Sequence, residues 1–154
     1  MTTHTATRTD IDDFLAQRTL ALVGASRSGK KFGNALLREL TARGYEVQPV
    51  HHEANEVEGL SCVRSLRELP APVGGVVIVV PPAQTLRVVE EAIAAGIPRV
   101  WMQQGSESPD AVRACRERGV TVVERECLLM FLEPAAWFHR AHRWVRGVTA
   151  GLPR

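Results

Sequence analysis

Leu20-Ala21-Leu22-Val23-Gly24-Ala25-Ser26-Arg27-Ser28-Gly29-Lys30-Lys31-Phe32-Gly33-Asn34 is the segment on which the fold class rests. A short apolar run ends at Gly24 and a polar, glycine-bearing loop follows. After Asn34 the chain turns helical, through Leu36-Leu37-Arg38-Glu39-Leu40-Thr41-Ala42-Arg43. Strand, glycine turn and helix in that order open a βαβ unit. The first amides of such a helix have no carbonyl behind them and its dipole is positive at that end, which makes the loop an anion site. Glycine at its start lets the backbone approach a pyrophosphate closely.

Outward from this loop one phrase repeats: helix, glycine, β-branched run. The first copy ends at Gly44 and continues as Tyr45-Glu46-Val47-Gln48-Pro49-Val50. The second, Val88 to Ala95, ends at Gly96 before Ile97 to Met102, and the third, Ala111 to Arg118, at Gly119 before Val120 to Val123. Each glycine stands where a helix C-terminus takes a left-handed residue. Ser108-Pro109 reads as an N-cap and a first helical residue. Val76 to Val80 is a further strand, apolar throughout as in a sheet covered on both faces. An extra strand at Ser61 to Val63, a helical turn at Ser65 to Leu69 and a leading helix at Ile11 to Gln17 complete the set. The expected architecture is a Rossmann-like three-layer αβα domain on a six-stranded parallel sheet of order 3-2-1-4-5-6. No linker or low-complexity segment interrupts it. Residues 1–154 therefore read as one domain, with a core over 10–130 and a C-terminal amphipathic helix over 134–150.

The composition, 45% hydrophobic and 23% charged over 154 residues, is that of an ordinary globular domain. A formal net charge of +2 is too small to argue for nucleic acid. Cys62, Cys115 and Cys127 are widely spaced and form no C-x-x-C, which suits a reducing cytoplasm better than a disulfide framework or a zinc site. Met1 to Asp10 is polar, without the apolar core of a signal peptide, and no apolar run approaches the roughly 20 residues of a membrane span. The expected location is cytoplasmic.

Three ligands compete for the loop. A P-loop needs G-x-x-x-x-G-K-[ST]; Gly24 to Lys30 fits, but Lys31 replaces the hydroxyl that would hold Mg²⁺, and Pro81-Pro82 stands where a Walker-B acid would end its strand. The NAD pattern needs G-x-G-x-x-G with an acid at the end of the second strand; here the text is Gly24-Ala25-Ser26, and Glu53 comes only after His51-His52. The third reading follows from charge. Arg27, Lys30 and Lys31 crowd cations onto the amide-rich loop, as suits a ligand with a pyrophosphate and a further ribose phosphate, namely coenzyme A.

The ordered set of Leu22-Val23-Gly24-Ala25-Ser26-Arg27, Lys31-Phe32-Gly33-Asn34, Arg43-Gly44-Tyr45-Glu46-Val47, Glu58-Gly59-Leu60, Val79-Val80-Pro81-Pro82 and Val100-Trp101-Met102-Gln103-Gln104-Gly105, running on through Val122-Val123-Glu124 to Cys127, resembles the CoA-binding domain family. The resemblance covers about residues 10–130. The family is itself similar to the nucleotide-binding half of the succinyl-CoA synthetase α subunit and to acyl-CoA synthetases that share it. What the resemblance implies is a set of roles. Gly24, Ala25, Ser26, Arg27, Lys30, Lys31, Phe32, Gly33 and Asn34 would wrap the phosphates of coenzyme A. Val50 and His51 would flank the adenosine, Val80, Pro81 and Pro82 would form an apolar lip, and Gln103, Gln104 and Gly105, on to Ser106, would line the far wall. All lie at strand C-termini around the topological switch point. The family carries an Asn-Pro pair where this chain has His51-His52, and the tail after Glu133 runs beyond the resemblance.

Other chemistry-bearing residues read more plainly. Neighbouring histidines in a strand point to opposite faces, so His51 and His52 are taken as ligand or loop contacts, with no metal. Cys127 reads as a packing cysteine, and nothing brings it to His139 or His142 as a catalytic set. Trp137, Ala141, Trp144 and Val148 repeat at helical spacing among arginines. Such a stripe docks on its own domain or on a second copy of the chain, which would make a homodimer through that helix. Neither nucleic acid nor membrane is read as a partner. The chain reads as a binding module for coenzyme A or an acyl-CoA and not as an enzyme, because no nucleophile–base pair or metal set accompanies the loop. The alternative is an NAD(P)-binding, oxidoreductase-like protein, which would need a Tyr or Lys beside the cofactor, while the lone tyrosine, Tyr45, begins the second strand.

Overall fold

The computed structural model describes residues 6–132. The helix expected over 134–150 lies outside them, and with it the dimer it would form. Among the described residues, no helix is long and apolar enough to cross a membrane.

The chain opens on α1 (Arg8–Leu15), which begins three residues before the expected Ile11. Thr7 sets that start: its hydroxyl accepts from the Asp10 amide while the Asp10 carboxylate accepts from the Thr7 amide, a reciprocal capping box. Then follow β1 (Thr19–Val23), α2 (Phe32–Ala42), β2 (Glu46–Val50), a hairpin of β3 (Glu56–Val57) and β4 (Leu60–Ser61), a 3₁₀ turn at Leu66–Glu68 and β5 (Gly75–Ile78). The remainder alternates α3 (Pro82–Ala94), β6 (Arg99–Gln103), α4 (Pro109–Glu117) and β7 (Thr121–Glu126), closing on a second 3₁₀ turn at Leu128–Phe131. Gly44, Gly96 and Gly119 end their helices at positive φ, and the Ser108 hydroxyl caps α4, as the sequence predicts.

The sheet is parallel throughout, in the order β2-β1-β5-β6-β7, with β1 beside both β2 and β5. The expectation of a sixth strand at Ser61 to Val63 is corrected: only one parallel bridge, Val50 to Val63, forms on the outer edge of β2. Its two bonds run from the Val63 amide to the Pro49 carbonyl and from the His51 amide to the Val63 carbonyl. The next bond of that ladder would come from the amide of residue 49, and proline has none. The Ser61 carbonyl accepts instead from Gln48 Nε2 at 2.8 Å, and Leu60–Ser61 turns away to pair antiparallel with β3.

Both faces of the sheet are covered. Leu20 and Leu22 of β1, Val77, Trp101 and Val123 point to the side packed by α1 and α2, through Phe14, Leu36, Leu37 and Leu40. Ala21, Val76, Ile78, Val100 and Met102 point to the side packed by α3 and α4, through Val88, Val89, Ala92, Val112 and Cys115. The period-2 alternation across fully apolar strands is what a sheet buried on both faces requires. It leaves the C-terminal edge of the sheet, where β1, β2 and β5 end together, as the open end of the molecule.

Candidate functional site

Backbone packing shapes the glycine loop. Gly24 leaves β1 at φ 130°, and a Cβ placed there would fall inside the Val79 carbonyl just past β5. Gly33, in the first turn of α2, faces the carbonyl of Gly24, 2.5 Å from where its own Cβ would stand. The loop's start is thus held between the end of β5 and the start of α2, at a separation that admits no side chain at either glycine. Asn34, fully buried, fixes the next residue: its Oδ1 accepts from the Ser26 amide at 2.8 Å and its Nδ2 donates to the Ser26 carbonyl at 2.8 Å.

Above this edge lies a cleft of about 250 Å³. Its floor is Gly24, Ala25 and Ser26; Lys31 borders it from the start of α2, Val50 and His51 from the end of β2, and Val80 and Pro81 from the end of β5. Two helices begin at this cleft, α2 after Lys31 and α3 after Pro81, and neither has a side-chain cap. Away from the cleft, α1, the Leu66–Glu68 turn and α4 are capped by Thr7, Ser65 and Ser108. Two positive dipole ends therefore meet at one place, with α2 supplying the first-turn amides, since Pro82 brings no N–H to the start of α3. Lys31, Arg64 and Arg87 add cations to the lining, against one carboxylate, Glu91, which pairs with Arg87 at 3.1 Å. The cleft is electropositive and suited to an anion.

The histidines depart from the expected geometry. His51 and His52 follow the last residue of β2, so strand alternation no longer applies, and their rings stack 6° from parallel with centroids 5.0 Å apart. Both line the cleft. The Nδ1 of His51 accepts from the amides of Glu53 and Ala54 at 3.0 and 2.9 Å, which leaves the proton on Nε2. Burial, then the neighbouring His52 and Arg27, hold His51 below the ordinary imidazole value of 6.5. Between that lowered value and 6.5 the folded chain holds fewer protons at His51 than the unfolded chain does, so this contribution to stability is complete above pH 6.5 and is lost as the pH falls through the folded value. The expected outcome is a thermal midpoint that declines below pH 6.5 in the wild type and a flatter profile in His51→Gln, measured by scanning calorimetry across pH 4.5 to 8.

Of the other residues singled out in the sequence, Arg27 is exposed and ion-paired with Glu53 at 3.2 Å, and Lys30 stands exposed at the loop tip; neither lines the cleft. Phe32 is 44% exposed at the start of α2, and Pro82 begins α3, both beside the lining and outside it. Gln103, Gln104 and Gly105 also lie outside it. The Gln103 carboxamide is buried and accepts from the Leu128 amide at 3.0 Å, the Gln104 amide donates to the Glu126 carbonyl, and the Gly105 amide donates to the Glu107 carboxylate. The wall opposite the loop is instead Gln84, Arg87, Val88 and Glu91 of α3. Their spacing of three, four and seven residues is one helix face, a signal present in the sequence and readable once Pro81 is seen to start a helix at the cleft. Arg64 carried no such signal. It reaches the cleft from beyond the Val63 bridge, where it donates to the Ala54 carbonyl at 2.9 Å and to Asn55 Oδ1 at 2.6 Å. Tyr45 is buried at the opposite end of the sheet, its hydroxyl donating to the Leu15 carbonyl. Glu53, the acid nearest the end of β2, is held by Arg27 and His52. Among the described residues no group of His, Cys, Asp and Glu is placed to hold a metal ion.

A parallel sheet covered by helices on both faces, with a glycine turn leaving the inner strand β1, defines an α/β domain of the Rossmann-like class. The chain belongs to the CoA binding domain family, whose model matches residues 18–133. Its fold is like that of a conserved hypothetical protein from Pyrococcus furiosus, with a TM-score of 0.71 and 43% identity over 75% of this chain and 99% of that one. The uncharacterized protein YneT of Bacillus subtilis is 29% identical over 109 residues, 71% of this chain and 81% of its own length. The ADP-forming acetate–CoA ligase II subunit alpha of Pyrococcus furiosus is also 29% identical, over 77% of this chain, and this chain spans 28% of that subunit.

Proposed function

We propose that the chain binds coenzyme A, free or acylated, in the cleft at the C-terminal ends of β1, β2 and β5, and works as a binding module with no chemistry of its own. The carrying observation is the meeting of two uncapped helix N-termini and a glycine cradle with the cations Lys31, Arg64 and Arg87. A diphosphate fits such a place, since backbone amides and dipoles meet its charge without a counter-ion. Gly24, Ala25, Ser26 and Lys31 would hold the phosphates, with Arg27 and Lys30 on the exposed side of the loop. Val50 and His51 would flank the adenosine, and Val80 and Pro81 would border the path of the pantetheine.

A cleft of about 250 Å³ is smaller than the roughly 300–1,000 Å³ that encloses a whole drug-sized ligand. Part of the ligand would thus lie outside the cleft; in this reading the nucleotide end is held and the thiol end projects outward, where a separate partner or an enzyme acting on the thioester would meet it. Family membership and the likeness to the CoA ligase subunit support this reading, and a cytoplasmic location goes with it. Glu53, the acid nearest the end of β2, pairs with Arg27 at 3.2 Å and does not line the cleft where a dinucleotide's ribose would need it, which weighs against NAD.

A thermal-shift panel of coenzyme A, acetyl-CoA, dephospho-CoA, NAD⁺ and NADP⁺ tests the proposal. At about 100 times its Kd a ligand stabilises by roughly 2.7 kcal/mol, several degrees for a domain of this size. Coenzyme A and acetyl-CoA are expected to raise the midpoint and NAD⁺ to leave it in place. A shift with NADP⁺ and none with coenzyme A would overturn the reading.

A further inference from the structure

The β3–β4 hairpin is joined by Glu58 and Gly59, with Val57 paired to Leu60. Both connecting residues are left-handed, at φ 52° and 77°, as a two-residue turn of the mirror-image type demands. Asparagine or glycine is the residue for the first of those positions; a glutamate there holds its backbone in a region that long L side chains avoid. Strain kept at one residue points to something its side chain does.

The Glu58 side chain reaches back across the start of α2. Its Oε2 accepts from Asn34 Nδ2 at 2.9 Å and from Arg38 at 3.1 Å, and the side chain keeps only 19% of its exposure. Arg38 in turn donates to the Gly29 carbonyl, on the far side of the glycine loop. A carboxylate only accepts, so it dictates that the nitrogen of the Asn34 amide faces it and the Ser26 carbonyl, leaving Oδ1 for the Ser26 amide. One carboxylate thus ties both halves of the loop, Ser26 through Asn34 and Gly29 through Arg38, to a hairpin that takes no part in the main sheet.

We propose that Glu58 is the positioning residue of the glycine loop, holding it through Asn34 and Arg38 in the conformation that receives phosphate. The role rests on the reading of the loop as the coenzyme A site, and Glu58 itself touches no ligand.

Glu58→Asn separates this role from a merely structural one. Asparagine suits the left-handed turn better than glutamate, which offsets the lost hydrogen bonds and keeps the ligand-free thermal midpoint close to that of the wild type, while its side chain is one methylene too short to reach Asn34 as Glu58 does. Amide hydrogen exchange in the ligand-free chain is the second reading. The Ser26 amide is expected to exchange roughly tenfold faster in Glu58→Asn, the worth of one charge-assisted hydrogen bond. The Cys62 amide, bonded to the Asn55 carbonyl at the open end of the hairpin, stays as protected as before. Calorimetric titration with coenzyme A is expected to show affinity down by about tenfold in Glu58→Asn and by about threefold in Glu58→Gln, which keeps the reach and the acceptor oxygen and loses the charge. Unchanged exchange at Ser26 overturns the brace whether or not coenzyme A binds. Faster exchange with undiminished affinity overturns its positioning role. A wild-type chain that does not bind coenzyme A overturns the reading of the ligand, and Ser26 exchange then decides the brace alone.

Discussion

Gly24→Ala is expected to destabilise the domain by about 3–5 kcal/mol, the sum of a strained left-handed backbone and an overpacked contact. Alanine at φ 130° is strained wherever it stands, and here its methyl would also occupy the place of the Val79 carbonyl. Relief requires β1 and β5 to part at their C-terminal ends, or the loop to lift from α2, and either movement opens the cradle. Against a total stability of roughly 5–15 kcal/mol the loss is large, and the thermal midpoint should fall by about 10 °C or more. Urea unfolding gives the stability, and titration with coenzyme A below the lowered midpoint should show no saturable binding. A variant within about 2 °C of the wild type would mean that the loop is not packed between β5 and α2 as described.

Lys31→Glu is expected to spare the fold and still weaken the ligand. Lys31 is the uncapped residue before α2, exposed, with its side chain on the cleft. A carboxylate at a helix N-terminus is favourable by about 0.3–1 kcal/mol, so the ligand-free midpoint should hold or rise slightly. For an arriving diphosphate the same change replaces an attraction with a repulsion, and affinity for coenzyme A should fall by about 10- to 100-fold, or roughly 1.4–2.7 kcal/mol. The loss should shrink as salt is raised, because both charges are exposed. Equal affinity in the two chains at low salt would place the phosphates elsewhere. The pair of variants is informative together: one removes the cradle with the fold, the other removes only the charge.

Much of the fold was legible because it is written locally. An apolar run, a glycine with a left-handed backbone and an amphipathic helix are each decided within about ten residues, and their alternation leaves few topologies for a parallel sheet. The same holds for the glycine loop, whose start at Gly24 and whose Asn34 belong to one strand–turn–helix unit. What escaped depended on partners distant in the chain. Pro49 is visible in the sequence as a missing donor, yet that its outward side faces Ser61, and so ends the sixth strand before it begins, follows only from the register of β2. His51 and His52 stack because β2 stops one residue earlier, at Val50. Gln103 turns inward to the Leu128 amide, because a buried carboxamide takes the unpaired donor nearest to it.

Local patterns in the sequence were enough for the class of fold, the glycine turn that follows β1 and the family to which the chain belongs, since propensity, capping and glycine placement act over short spans. Which side chains share the cleft with that turn follows from packing. Arg64, from beyond an edge bridge, and Gln84, Arg87 and Glu91, from the face of α3, arrive there through strand register and helix packing. Glu58 meets Asn34 across a gap of 24 residues for the same reason: a long-range contact is set by the geometry of the packed sheet, which no local pattern encodes.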